Sequence, residues 1–194
     1  MLDWADQVLV ATNLQRHSMN DFMRQQKGFG PEPEDGDKII CLRNYWEVAN
    51  FTNGDPLVNG TIGTLHNPKP SHFNVPLYAY DKGRINILGA EFVSELGEDF
   101  GHINMDPRII KGGESELEWR DKYRLNKLKS KIGDVIPKEF TYGYAITGHK
   151  AQGSEWDKVL VVEEKFPYPA VEHARWLYTV ATRAAEKLVI VTKD

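Results

Sequence analysis

Tyr144–Val162 reads YAITGHKAQGSEWDKVLVV, and its last part, Asp157–Val162, is a short apolar run of the kind that forms a buried strand. Before it, between Thr147 and Glu155, stands a short turn crowded with polar groups. Thr147 and Lys150 are donors suited to phosphate, Gly148 and Gly153 allow close backbone approach, and Glu155 can accept hydrogen bonds from sugar hydroxyls. A nucleotide or a nucleic acid is the ligand this chemistry implies. Farther on, Leu177–Val191 reads LYTVATRAAEKLVIV, a helix and a strand with Arg183 near their junction.

The same alternation of strand and helix recurs at the start of the chain. Gln7–Thr12, QVLVAT, is a short run rich in β-branched residues, and LQRHSMNDFMRQQKG after it has helical spacing. Leu14, Met19, Phe22 and Met23 are expected to face inward, with Gly28 ending the helix. Gly28–Asp37 is rich in glycine, proline and acids and reads as a loop. A strand follows in KIICLRNYW from Lys38, and NGDPLVNGTIGTL supplies two turn signals around another.

The middle of the chain has a different pattern. VPLYAY and RINILGAEFV are expected to form hairpin arms around the turn at Asp81, Lys82 and Gly83. A helix is expected from Glu114, with Leu117, Tyr123, Leu125 and Leu128 at helical spacing, acids early and lysines late, as the helix dipole favours. The pattern then returns to a strand at Thr141–Ala145, the polar turn, a strand at Asp157–Val162, a helix at Ala170–Arg183 and a strand at Lys187–Val191. Strand–helix alternation at both ends around a β-rich middle predicts an α/β protein with a parallel sheet and an insertion.

With 194 residues, 41% hydrophobic and 27% charged, the chain is long enough for one substantial core, or one core and a satellite domain. It has no apolar run of membrane-spanning length, and MLDWADQ lacks the basic start and apolar core of a signal peptide, so no membrane partner and a cytosolic setting are expected. Cys41 is the only cysteine, which excludes an intrachain disulfide and makes a core position the expected role. A net charge of −4 argues against a surface that grips nucleic acid all round, but a local track of phosphate-binding groups is compatible with it.

Thr147, His149, Lys150, Gln152, Gly153, Ser154 and Glu155, followed by the Y-T-x-x-T-R-A phrase ending at Arg183 and Ala184, resemble motifs V and VI of superfamily 1 helicases, closest to the RecD-like and Dda-like branch. The resemblance implies a RecA-like parallel sheet with flanking helices, residues 1–35 and 141–194, interrupted by a Src-homology-3-like, β-rich insertion, residues 36–140. NGTIGTL, Asn59–Leu65, is similar to a strand of that insertion in the family, with Thr61 in place of an acid; Pro68–Ile132 matches nothing in it.

On this resemblance Arg183 is the arginine that reaches the γ-phosphate of ATP held by another domain, and a planar, permanently charged guanidinium suits that task. Its alternative is a surface pair with Glu186. Glu155 and Gly153 fall at the nucleotide, Glu155 as a ribose contact or else as an ordinary solvated acid. Gln152 either senses nucleotide or braces the turn. Thr147, His149 and Lys150 match phosphate-backbone contacts to nucleic acid, His149 alternatively linking the two sites. Thr12 and Asn13 correspond to motif IV, Thr12 at the nucleic acid and Asn13 at the nucleotide, or else cap the helix. Arg16 is the available candidate for a second γ-phosphate contact, although His17 holds the place where one branch has its arginine. Tyr45, Trp46, Trp119 and Trp156 are candidate base-stacking residues or core, with Trp156 expected to pack, and Trp176 and Tyr178 are expected against the sheet or a neighbouring domain. None of these residues has metal-ligand spacing.

No G-x-x-x-x-G-K-S/T phosphate loop occurs in the sequence, nor a strand ending in a magnesium-binding acidic pair. The resemblance then implies the C-terminal motor domain of an ATP-dependent DNA helicase, of a branch that generally moves 5′ to 3′ on single-stranded DNA. ATP and Mg2+ would be bound mainly by an N-terminal RecA-like domain of the same parent protein, the chain alone being inactive. The alternative is a stand-alone binding module on a helicase-derived scaffold.

Overall fold

The computed structural model describes residues 4–163 and 169–192. In chain order the elements are β1 (Gln7–Val10), α1 (Asn13–Gln26), β2 (Lys38–Cys41), β3 (Tyr45–Ala49), β4 (Pro56–Leu57), β5 (Ile62–Asn74), β6 (Arg84–Ser94) and β7 (Asp99–Met105). They continue with α2 (Pro107–Ile110), α3 (Trp119–Ile132), β8 (Phe140–Tyr142), β9 (Ala145–Thr147), β10 (Trp156–Val162), α4 (Ala170–Ala181) and β11 (Ala184–Val191). Two compact units emerge, one from residues 1–29 with 143–194 and the other from 30–142, each junction a few residues from the sequence-based 36–140 boundary. No helix among the described residues is long and apolar enough to cross a membrane.

The first unit is built on a wholly parallel sheet in the order β9-β1-β10-β11. Parallel strands covered on both faces read as continuous apolar runs, and β1 does so: Val8, Leu9 and Val10 are completely buried, as is Val161 of β10. Because β9 and β10 flank β1 on opposite sides, the connections leave in opposite directions at the carboxyl ends of these strands. That divergence opens the crevice in which α/β sheets bind ligands.

The buried side of α1 is more polar than its apolar spacing predicts. Leu14 is 82% and Phe22 47% exposed, whereas Gln15, Asn20, Met23 and Arg24 are buried. The reason is hydrogen bonding to strand backbone. β9 is an edge strand, and Asn20 pairs with it as another strand would: its Nδ2 donates to the Ala145 carbonyl at 3.0 Å and its Oδ1 accepts from the Ala145 amide at 2.8 Å. Gln15 Oε1 likewise accepts from the Ala11 amide at 3.2 Å. Satisfying those groups outweighs the burial of two apolar side chains.

The second unit holds an antiparallel sheet ordered β7-β6-β5-β2-β8 and a small β3-β4 ladder. KIICLRNYW is thus two strands in different ladders, and Cys41 is buried at the end of the first. β6 forms where RINILGAEFV predicts it, but its hairpin partner is β5, with Asn74 opposite Arg84. Val75–Tyr80 is not a strand. It turns instead, with the Ala79 and Tyr80 amides donating to the Pro76 carbonyl, and it buries Val75, Ala79 and Tyr80 in a cluster with Ile85, Ile87, Leu117, Leu125 and Val135. In NGTIGTL, Gly63 lies so close to β6 that a Cβ would meet the Val93 carbonyl and the Phe92 ring.

α3 starts at Trp119, five positions after Glu114, where Glu118 and Asp121 form a capping box. The expected strand Thr141–Ala145 is also divided: Phe140–Tyr142 pairs with β2 and Ala145–Thr147 with β1, so the chain changes sheet at Gly143 and Tyr144. Alongside, Glu139 accepts from Lys122 Nζ at 2.7 Å and Arg43 Nε at 2.9 Å. Burial opposes its ionisation, yet these two cations hold its carboxyl below the usual range.

Candidate nucleic-acid and nucleotide site

β1 delivers Ala11, Thr12 and Asn13 to its carboxyl end, and β9 delivers Gly148 and His149 beside them. The Gly148 amide extends the β1–β9 ladder by donating to the Val10 carbonyl at 3.1 Å. The Thr147 carbonyl then accepts from the amides of Lys150 and Ala151, at 2.9 and 3.1 Å, which closes the polar turn into a helix-like loop. Ala151 is fully buried and pins this loop, while His149, Gln152 and Glu155 are exposed. Gly153, at φ +87, reverses the chain towards β10.

α4 closes the other side. A Cβ on Gly148 would come within 2.6 Å of Val180 Cγ1 and 2.8 Å of Trp176 Nε1, so only glycine allows the turn and helix to meet this closely. A cleft of about 570 Å³ results, lined by Ala11, Thr12 and Asn13, by Gly148, His149 and Gln152, and by Glu172, Arg175, Trp176 and Thr179 of α4. The α4 residues recur at i, i+3, i+4 and i+7, which is one helical face.

The electrostatics of this cleft favour an anion. Asn13 is the first residue of the fourteen-residue α1, so backbone N–H groups and the positive end of the helix dipole lie at its wall. Arg175 adds a full charge, moderated by its ion pair with Glu172 at 2.9 Å. Trp176 supplies an apolar wall, stacked on His173 with ring centroids 6.1 Å apart, and His173 in turn meets Glu163 at 2.8 Å. A phosphate beside an aromatic wall is what nucleotides and nucleic-acid backbones present.

Of the residues singled out from sequence, Thr12, Asn13, Gly148, His149, Gln152 and Trp176 line this cleft, and Thr12 also caps α1 by accepting from the Gln15 amide at 3.2 Å. Thr147 is buried at the strand end, and Lys150 is half-buried on the turn. Gly153 and Glu155 lie farther along the turn, outside the cleft lining. Arg16 lies on α1 with Nη2 2.9 Å from His17 Nε2, and burial lowers its pKa. Glu172, Arg175 and Thr179 escaped the sequence reading. Their common helical face with Trp176 was the available signal.

Residues 142–191 match the UvrD-like helicase C-terminal domain family. The match spans about a quarter of the chain. Over nearly its whole length, 97%, it is 25% identical to the uncharacterized protein MJ1519 of Methanocaldococcus jannaschii, of which it spans 15%. Among solved structures it resembles the Pif1 helicase from Bacteroides in complex with ADP-AlF3 and ssDNA, with a TM-score of 0.53 and 13% identity over 97% of this chain and 40% of that one. The Pif1 helicase from Candida albicans gives a TM-score of 0.53 and 16% identity, over 97% of this chain and 45% of that one. At these identities the likeness is one of fold, and it extends across both units rather than the matched segment alone.

Arg183 stands between α4 and β11, one residue beyond the C-cap Thr182. Its Nε donates to the Thr179 carbonyl at 3.1 Å, Nη1 to the Ser154 carbonyl at 3.2 Å and Nη2 to Thr182 Oγ1 at 3.1 Å, an arrangement different from the surface pair with Glu186. The Trp156 amide donates to the Arg183 carbonyl at 3.0 Å, so backbone and side chain of one residue tie the end of α4 to the polar turn.

Proposed function

We propose that this chain is the C-terminal motor domain of an ATP-dependent DNA helicase, in which the cleft between the polar turn and α4 holds the single-stranded DNA backbone and Arg183 faces ATP bound by a separate RecA-like domain. The observation that carries the reading is the convergence of Thr12, Asn13, His149 and Gln152, distant in sequence, on one anion-favouring cleft joined through Ser154 to Arg183. Support comes also from the Bacteroides Pif1 helicase, which shares the fold and was crystallised with ADP-AlF3 and ssDNA. Glu155 and Gly153 serve the nucleotide side of the turn, with Arg16 as a further cation. The resemblance to the RecD-like branch, which generally moves 5′ to 3′, supports that direction. ATP with Mg2+ enters only when the phosphate-loop domain is joined, because this sequence contains no such loop.

Binding of a fluorescein-labelled oligothymidylate, followed by anisotropy at several salt concentrations, tests the DNA side. Arg175→Ala and His149→Ala are expected to weaken it by roughly 5- to 10-fold each, and Arg175→Ala to flatten the salt dependence by about 0.7, the value for one phosphate contact on a single strand. Unchanged affinity and slope in both variants would exclude the cleft as the DNA site.

A further inference from the structure

The 30–142 unit contains a second surface with a different composition. α3, WRDKYRLNKLKSKI, carries Arg120, Lys122, Arg124, Lys127, Lys129 and Lys131 against the single acid Asp121, in a chain whose net charge is −4. At about 100° per residue, Leu125, Leu128 and Ile132 share one face of the helix, and Trp119, Tyr123 and Lys127 run along the centre of the opposite one. Leu125 is buried in the core, whereas Trp119 is 71% and Tyr123 57% exposed. Two large aromatic rings therefore stand in solvent although the same helix buries a leucine.

The cations are sorted as well. Lys122 and Lys129, on one flank, are neutralised by Glu139 at 2.7 Å and Asp134 at 2.9 Å. Arg120, Arg124 and Lys131 lie on the other flank, next to Lys127, and these four form no ion pair with a carboxylate among the described residues. The Arg120 guanidinium carbon sits 5.7 Å from the Trp119 ring centre and Lys127 Nζ 4.6 Å from that of Tyr123. A row of aromatic platforms beside a row of unneutralised cations is the arrangement that holds single strands, with bases stacked on the rings and phosphates against the cations.

We infer that the exposed face of α3 is a second binding surface for single-stranded DNA, formed by Trp119 and Tyr123 as stacking platforms and Arg120, Arg124, Lys127 and Lys131 as phosphate contacts. Duplex would gain nothing from the rings, since its bases are already stacked. The surface thus gives the 68–132 stretch of the insertion, which resembles nothing in the family, a hold on one separated strand.

The test uses the whole 194-residue chain and a labelled oligothymidylate. Arg120→Gln combined with Arg124→Gln and Lys127→Gln is expected to weaken binding at least tenfold and to reduce the slope of log K against log salt by about 2. Trp119→Ala and Tyr123→Ala are each expected to weaken it by roughly fivefold or more. Independently of any variant's folding, photocrosslinking of a bromodeoxyuridine strand to the unaltered chain should label the peptide containing Trp119 and Tyr123. Unchanged affinity in the charge and ring variants, or crosslinks confined to other peptides, would overturn the inference. If only the His149 and Arg175 variants lose binding, the cleft stands and the α3 surface falls; if only the α3 variants lose it, the reverse holds.

Discussion

Replacing Arg183 by alanine in the assembled helicase is expected to lower ATP turnover by about a thousandfold or more while leaving nucleotide affinity nearly unchanged. The charge that the guanidinium offsets is spread over the equatorial phosphoryl oxygens and is greatest in the transition state, so its loss is felt in kcat rather than in ground-state binding. In the proposed role the side chain would exchange its bonds to Thr179, Ser154 and Thr182 for phosphate oxygens, replacing neutral acceptors by charged ones. Arg183→Lys keeps the charge but not the planar fork and is expected to recover only a small part of the rate. Steady-state kinetics with a parallel nucleotide-binding titration would check this. Turnover within a few fold of the unaltered enzyme would remove Arg183 from the γ-phosphate.

Gly148→Val is expected to cost about 3 kcal/mol of stability, at the upper end for overpacking a close contact, and to weaken DNA binding in parallel. Even the first added carbon would collide with Val180 and Trp176, both buried, and neither helix nor turn can retreat without leaving the sheet. The smaller change Gly148→Ala makes the mechanism separable. Val180→Ala removes the nearest obstructing methyl, so the double variant should lose less stability than the sum of the two single losses. Chemical denaturation of the four proteins measures the coupling. Strict additivity would mean that Gly148 is not held by its contact with α4.

These two residues mark how far the sequence could be read. The turn Thr147–Glu155 and the strand after it were visible because the chemistry and the apolar run stand side by side in the chain, and Arg183 was visible through the motif that contains it. Gly148 was legible only as a small residue, since the cause of its size is a helix almost thirty positions later. The inward face of α1 is legible only in part, for a related reason: Met23 is buried as its spacing predicts, whereas Leu14 and Phe22 are exposed. Asn20 is buried because β9 has an unpaired edge, and an unpaired edge is a property of sheet order that local spacing does not contain.

The second unit shows the same limit. Val75–Tyr80 alternates like a strand but turns, because its apolar residues fill a cluster with Leu117 and Leu125 rather than a sheet face. Trp119 is a candidate stacking residue from sequence, with core the alternative, and only the structure puts it on the solvent side of α3 next to cations that have no acidic partner among the described residues. Likewise Arg175 became part of the candidate site once α4 was seen to face the polar turn.

The central claim is that this chain supplies one side of a catalytic cleft and gains ATP chemistry only from a partner domain. Its most direct test is the rate of ATP hydrolysis by the purified 194-residue chain with Mg2+ and saturating single-stranded DNA. The expected rate is that of buffer alone, for the unaltered chain and Arg183→Ala alike. Metal-dependent turnover well above that background, lost on Arg183→Ala, would show that the chain carries a complete site and would contradict the account.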